Sequence, residues 1–515
     1  MDAQPQVTIG VGAPTIGDVV AVARDGAGVV LSAEAVSEIG RTRAVVDALA
    51  EDPRPHYGVS TGFGALATRQ IPTTLRTELQ RSLIRSHAAG SGQDVEREVV
   101  RALMFLRLSA LATGRTGIRP ATAAAYAAIL SAGITPVVPE HGSLGCSGDL
   151  APLAHCALAL MGEGPVRDRE ARRRPATEAL AEAGIAPVTL AEKEGLALIN
   201  GTDGMLGMLA LAIHDLRTLL ATADIAAAMS VEGLLGTDAV FAEDLHALRP
   251  HPGQAASAAN MRALLAGSPI VASHRGPEDP RVQDAYSLRC APAVTGGARD
   301  TLEHATLVAD RELASAIDNP VVTHDGRVES NGNFHGAPLA YVLDFLAIVA
   351  ADVASMSERR TDRFLDPARS HGLPAFLAHD PGVDSGCMLA QYTQAALVSE
   401  LKRLAVPAST DSIPSSAMQE DHVSMGWAAG RKLRRAVDAL TRVLAIELLT
   451  GARGIQLRGH LEPAPATAAV IAELRRDIAP PGPDRFLAPE IETAVRLVRS
   501  GRVRAAAESV TGALR

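Results

Sequence analysis

Aromatic residues are scarce in this chain. They make up 3% of 515 residues, with one Trp, five Tyr and eight Phe. Sheet sandwiches lean on aromatic and β-branched side chains, so the scarcity argues against that architecture. Cysteine is scarce too. Cys146, Cys156, Cys290 and Cys387 are scattered, and no CxxC occurs. Neither a disulfide framework nor a zinc site is indicated. An excess of positive charge is missing: 49 Lys and Arg face 58 Asp and Glu, a formal net charge of −9. That balance argues against a nucleic-acid partner. The opening MDAQPQVTIG lacks both a basic start and an apolar run, so no signal peptide is expected. The uncharged run between Arg119 and Glu140 is rich in Ala and holds Pro120, Pro136 and Pro139, which argues against a membrane span. A cytoplasmic protein without a membrane partner is the expectation.

What remains is apolar and small. Hydrophobic residues reach 47%, carried by Ala and Leu, which favours helices packed closely on helices. Residues 1–50 read as a short strand-like start and a helix over 33–50. Two Ala-rich helices fill 95–133, broken at Gly114–Pro120. Residues 163–187, with Arg172-Arg173-Arg174-Pro175, read as a solvated charged hairpin. A long helix is expected near 205–235. Residues 249–300 read as loop-rich, with helices resuming near Arg299 and running to about Asn319. Three long helical stretches follow, near 337–357, 388–405 and 423–450, with wide Ala-rich faces suited to a buried bundle. Asp344 and Asp352 argue against a membrane role for the first. Residues 455–515 read as Pro-rich loops and two helices. No repeat of solenoid period is found.

The chemistry centres on His141-Gly142-Ser143-Leu144-Gly145-Cys146-Ser147-Gly148-Asp149-Leu150, a glycine-rich turn running into an apolar helix over 150–161. Asp149 is placed to cap that helix, and Pro152 falls in its first turn, where a missing N–H costs little. A nucleophile elbow G-x-S-x-G fails, because Asp149 stands two residues after Ser147. A phosphate loop fails for want of Gly-Lys-Ser/Thr. Gly62 to Ala67 match G-x-G-x-x-A, yet no apolar strand precedes them and no βαβ pattern surrounds them. Glu420-Asp421-His422 has no partner ligands at zinc spacing, so no metal is expected. A reactive Cys146 stays open. So does one further chemistry. In a tight enough turn the Gly148 nitrogen attacks the Cys146 carbonyl, a ring closes with loss of water, and loss of the Ser147 hydroxyl leaves a methylidene group. Glycine suits the nucleophile because it has no Cβ.

The run Gly142 to His155 closely resembles the signature of the histidine ammonia-lyases, members of the aromatic amino acid lyase family that build a methylidene-imidazolone (MIO) group from Ala-Ser-Gly. Here Cys146 replaces the usual Ala. Its side chain hangs outside the new ring and is not needed to form it. The resemblance covers nearly the whole chain, with small departures at Ser60, where Asn is also common, and at Asn331, where Gly is more common. It implies a mainly α fold: a long-helix bundle of the aromatic amino acid lyase and fumarase–aspartase type over 201–515, with an N-terminal region over 1–200 carrying the MIO loop. It implies no external cofactor and a homotetramer with shared sites.

The resemblance also implies roles. Tyr57 looks like the base for the β-proton, with nearby positive charge or the helix N-termini expected to lower its pKa. Tyr286 looks like a second phenol beside the MIO group, and Arg289 like a carboxylate clamp, three residues on and so on one side of a helical turn. Asn200 and Gln283 look like hydrogen-bonding partners, and Phe334 packs near the methylidene. His87 and Glu420 look like the pair that reads an imidazole, with Met388 lining the pocket. A weak independent hint agrees: Tyr57 and Tyr286 sit in polar turns, whereas Tyr126, Tyr341 and Tyr392 sit in apolar helical runs. Breaking a β C–H bond that is barely acidic needs an electrophilic sink, which an MIO group supplies. The expected reaction is deamination of L-histidine to trans-urocanate and ammonia. A tyrosine or phenylalanine lyase or aminomutase of the same family is the alternative. A serine or cysteine hydrolase and a non-catalytic helical scaffold stand further off.

Overall fold

The computed structural model describes residues 5–276 and 282–515. Residues 1–4, which open the segment read as lacking a signal peptide, and 277–281, inside the 249–300 stretch, lie outside the described residues. The chain is mainly helical, with short two- and three-stranded sheets. It forms two compact units. One comprises 1–211, 306–343 and 408–431; the other comprises 212–305, 344–407 and 432–515.

In the first unit, strand Gln6–Ile9 pairs in parallel with Gly28–Leu31. Between them runs helix Ile16–Ala23, closed by a capping box from Thr15 and Asp18. The expected helix over 33–50 spans Ala33–Glu51, and the two Ala-rich helices are Arg97–Ala112 and Pro120–Ser131. The Arg97–Ala112 helix is buried almost all round, which its apolar composition permits. Each buried Leu or Val there contributes about 1.5–3 kcal/mol. The charged excursion does form a hairpin, Pro165–Arg167 against Arg173–Pro175. Helix Leu150–Leu160 packs on Arg76–His87 and Glu194–Ile199, which brings the ends of three site-bearing segments together.

The long helices are Asp203–Gly233, Ala337–Leu365, Met388–Leu404 and Gly426–Gln456. The first two are long and apolar enough to cross a membrane by length and composition, and both are largely buried in the protein. In the second unit Asp344 is buried and pairs with the Lys432 ammonium at 2.6 Å. The same unit buries Arg360 against Glu447 at 2.5 Å, with the Ser230 hydroxyl donating to the same carboxylate.

Residues 249–300 are not loop-rich. They hold helices Pro252–Leu265 and Pro269–Ala272, and a longer one begins at Ala291 rather than Arg299 and stops at Leu313. Gly296 sits inside that helix. A Cβ there would lie 2.3 Å from the Gln254 backbone, so the glycine serves close helix approach. The tyrosine split also needs correction. Tyr126 is buried, but Tyr341 and Tyr392 are more than half exposed on their helices.

Candidate active site

The Cys146-Ser147-Gly148 turn belongs to the first unit. Ser147 has φ 51° and Gly148 φ 84°, both left-handed, and the Gly148 N–H donates to the Gly145 carbonyl at 3.3 Å. A non-glycine residue in that region is uncommon and costly, a mark of sites where the surroundings impose a bend. The walls are close on both sides. A Cβ on Gly148 would lie 2.0 Å from the Gly201 carbonyl oxygen, and one on Gly145 would lie 2.6 Å from the Ser424 hydroxyl. The Asp149 N–H donates to the Gly201 carbonyl at 2.8 Å.

Asp149 does not cap the helix that follows it. Its side chain makes no hydrogen bond to that helix. It accepts instead from the N–H groups of Gly204 and Met205, at 3.0 and 2.9 Å, and from the Ser143 hydroxyl at 2.9 Å. It therefore caps the start of Asp203–Gly233 from across the fold. Burial pushes its carboxyl up to about 7, with the Asp203 charge adding to this and the three hydrogen bonds opposing it.

Asn200 sits beside that helix start, almost fully buried. Its Nδ2 donates to the Asn319 carbonyl at 2.8 Å, and its own carbonyl accepts from Arg107 at 2.6 Å. Its Oδ1 has no protein partner, and neither has the buried Ser424 hydroxyl. Two orphaned acceptors beside a turn lined by Gly145, Gly148 and Gly201 fit a compact polar group at Cys146-Ser147-Gly148. The Asn319 Oδ1 accepts from Ser330 and from the Asn331 N–H, each at 3.0 Å, and this fixes the loop that carries Phe334. Beneath it Lys193 and Asp318 form a fully buried ion pair at 2.6 Å.

The Tyr57 hydroxyl accepts from the Gly64 N–H at 3.4 Å. Its pKa is raised rather than lowered. Burial dominates, and the carboxylates of Glu420 and Asp318 add to it. The cation expected to lower it does not come from this unit's described residues. His87 ends helix Arg76–His87, with the Ser86 hydroxyl 3.0 Å from Nδ1. Burial lowers its pKa against the pull of Glu420, so the ring is neutral near pH 7. The Glu420 oxygen Oε2 accepts from the Ser415 hydroxyl at 2.8 Å. Burial, with the Glu420 charge adding to it, pushes the Cys146 thiol up to about 11. Such a thiol stays protonated near neutral pH, which weighs against a cysteine nucleophile. Among the described residues no three His, Cys, Asp or Glu side chains gather as a metal site.

The first unit thus brings together Tyr57, His87, Cys146, Ser147, Gly148, Asn200, Phe334 and Glu420. Gln283, Tyr286, Arg289 and Met388 belong to the second. There the guanidinium of Arg289 lies 4.5 Å from the centre of the Tyr286 ring, on one face of the short helix Tyr286–Arg289, and its Nε donates to the Asp284 carbonyl at 2.9 Å. Gln283 and Tyr286 are exposed, and Met388 opens helix Met388–Leu404. Sequence reasoning missed Ser415, the Lys193–Asp318 pair and the cross-fold role of Asp149. Only Ser415 left a signal, its closeness to Glu420.

A bent Ser-Gly turn on a helical scaffold, in one unit with a phenol, an imidazole and a carboxylate, points to a class. The profile described as aromatic amino acid lyase matches residues 15–476, and the chain belongs to that family. It is 66% identical to the histidine ammonia-lyase of Streptomyces avermitilis, over 99% of each chain. Among solved structures, a tyrosine aminomutase from Streptomyces globisporus superposes with TM-score 0.94 at 37% identity, over 99% of this chain and 100% of that one. Histidine ammonia-lyase from Trypanosoma cruzi superposes with TM-score 0.90 at 40% identity, over 98% and 95%.

Proposed function

We propose that the protein is a histidine ammonia-lyase, a carbon–nitrogen lyase that converts L-histidine to trans-urocanate and ammonia in the cytoplasm. The observation that carries the reading is the Glu420 carboxylate acting on both Tyr57 and His87 within one unit. A carboxylate and a neutral imidazole can hold the two nitrogens of a substrate imidazole, whereas an aryl ring offers Glu420 nothing to hold. Cys146, Ser147 and Gly148 form the MIO group in this reading, and it supplies an electrophilic sink for the substrate. Tyr57 takes the β-proton at its phenol oxygen. Raised by burial, that phenol is a strong base once ionised, and the substrate ammonium and the Arg289 guanidinium are the cations that favour ionisation. Arg289 clamps the carboxylate with its planar fork, beside Tyr286. Asn200 offers its free Oδ1, Gln283 adds a hydrogen-bonding group, and Phe334 and Met388 close the pocket.

The same reading makes the protein a homotetramer with shared sites. In support, Tyr341, Phe345 and Ile348 form an exposed stripe on helix Ala337–Leu365, and Leu389 and Tyr392 are exposed on Met388–Leu404. Apolar surface of that kind is suited to burial against further copies. Tyr286 and Arg289 then complete the site of another copy.

The test is incubation with L-histidine, with L-tyrosine and L-phenylalanine in parallel, following the near-ultraviolet absorption of each unsaturated product. The intact mass is expected to be short by two waters. Product from tyrosine or phenylalanine but not from histidine refutes the substrate; a full-length mass refutes the MIO group.

A further inference from the structure

Glu420 needs to be aimed, and its mount is built by a residue with no role so far. Ser415 and Glu420 close a short loop on themselves. The Ser415 N–H donates to the Glu420 carbonyl at 3.0 Å, and the Glu420 N–H returns to the Ser415 carbonyl at 3.3 Å. The Ser415 hydroxyl donates to Glu420 Oε2 at 2.8 Å. Inside the loop Ser416, Ala417 and Met418 have φ of 51°, 52° and 69°. Three successive non-glycine residues in the left-handed region are held against their own preference, and such strain persists only where the surroundings over-determine it. One wall is the tyrosine loop: a Cβ on Gly64 would lie 3.1 Å from the Ser416 hydroxyl.

We propose that Ser415 is a positioning residue, which pins one oxygen of Glu420 through the left-handed turn 416–418 so that the other is presented to the substrate's imidazole. The inference rests on the histidine reading above. A carboxylate free to rotate loses orientation each time it binds, and a pinned one has settled that beforehand. Ser415 touches no substrate in this account. It acts through Glu420, and its effect must disappear when Glu420 does.

The experiment uses the purified full-length protein, with the mass deficit and the thermal midpoint checked for each variant. The variants are Ser415→Ala, Ser415→Thr, Glu420→Gln and the Ser415→Ala/Glu420→Gln double. Ser415→Ala is expected to lower kcat/KM for histidine about tenfold, the scale of one hydrogen bond to an ionised group, mostly through KM. Ser415→Thr, which keeps the hydroxyl, is expected to restore most of it. Inhibition by L-phenylalanine, which has no imidazole, is expected to stay unchanged. In the Glu420→Gln background the Ser415→Ala change is expected to add nothing. An unaltered Ser415→Ala, an equal loss in both backgrounds, or an equal loss of phenylalanine inhibition each overturns the proposal. A parent protein that makes no urocanate overturns the histidine reading itself, and the inference with it.

Discussion

Removing the Asp149 carboxylate is expected to cost stability, in an amount that depends on pH. Asp149→Ala takes away the acceptor of three donors, the Ser143 hydroxyl and the N–H groups of Gly204 and Met205. The hydroxyl can turn elsewhere; the two N–H groups of the helix start cannot. Each orphaned buried donor costs about 1–3 kcal/mol, so the variant is expected to lose about 2–6 kcal/mol. Asp149→Asn keeps an amide oxygen for both N–H groups and turns its NH₂ to the Ser143 oxygen, at a cost of about 1 kcal/mol. The pH dependence follows from burial. The folded pKa, about 7, lies above the ordinary 3.8. The folded chain therefore holds this proton more readily than the unfolded chain. The stability this confers is full below about pH 4 and is lost as pH rises through about 7, with a total on the order of 4 kcal/mol. Asparagine has no such proton. Urea unfolding midpoints across that window are expected to move in favour of Asp149→Asn, relative to the parent, as pH rises. A constant separation at every pH would show that Asp149 is not raised. An Asp149→Ala protein as stable as the parent would show that the cross-fold cap carries no weight.

Three further outcomes follow from the site. Ser147→Ala accommodates the same bend but has no hydroxyl to eliminate, so it should fold, keep both waters in its mass and lose nearly all turnover; substantial activity in protein free of host lyase refutes the MIO assignment. Arg289→Lys loses the fork, the Asp284 carbonyl contact and the stacking on Tyr286, and should weaken histidine far more than the competitive inhibitor histamine, which has no carboxylate; equal damage to both refutes the clamp. Cys146→Ala should keep the two-water deficit and most of its histidine activity, losing less than Ser415→Ala, because Ser415 holds the Glu420 carboxylate and the thiol hangs outside the ring; loss of all activity with the ring intact refutes this ranking.

The helices were legible because Ala and Leu periodicity is local, and Ala33–Glu51 and Met388–Leu404 fall within a residue or two of expectation at each end. The failures came where long-range contact overrides local preference. The 249–300 stretch reads as loop-rich, but Gly296 within it is the point where one helix touches another. Asp149 reads as the cap of the next helix, but it caps one that begins after residue 202. Tyr57 reads as a phenol of lowered pKa, yet burial raises it and the Glu420 and Asp318 carboxylates add to that. The site residues were named through motif resemblance. Spacing alone does not bring Tyr57, Ser147, Asn200 and Glu420 into one unit.

The walls of the 145–148 turn come from far along the chain, at Gly201 and Ser424. A ribosome that has delivered Cys146, Ser147 and Gly148 has not yet delivered either wall. The Gly148 N–H to Gly145 carbonyl bond is local, but the walls that confine Ser147 in its left-handed bend are in place only when both have arrived and packed. Under the proposed MIO assignment, closure of the triplet is thus tied to completion of the fold, and a two-water mass deficit is expected to record it. A chain truncated before residue 424 is expected to keep its full mass even with the triplet intact, and mass spectrometry of such a fragment checks this directly. A truncated chain already short by two waters would show that the triplet closes without its distant walls.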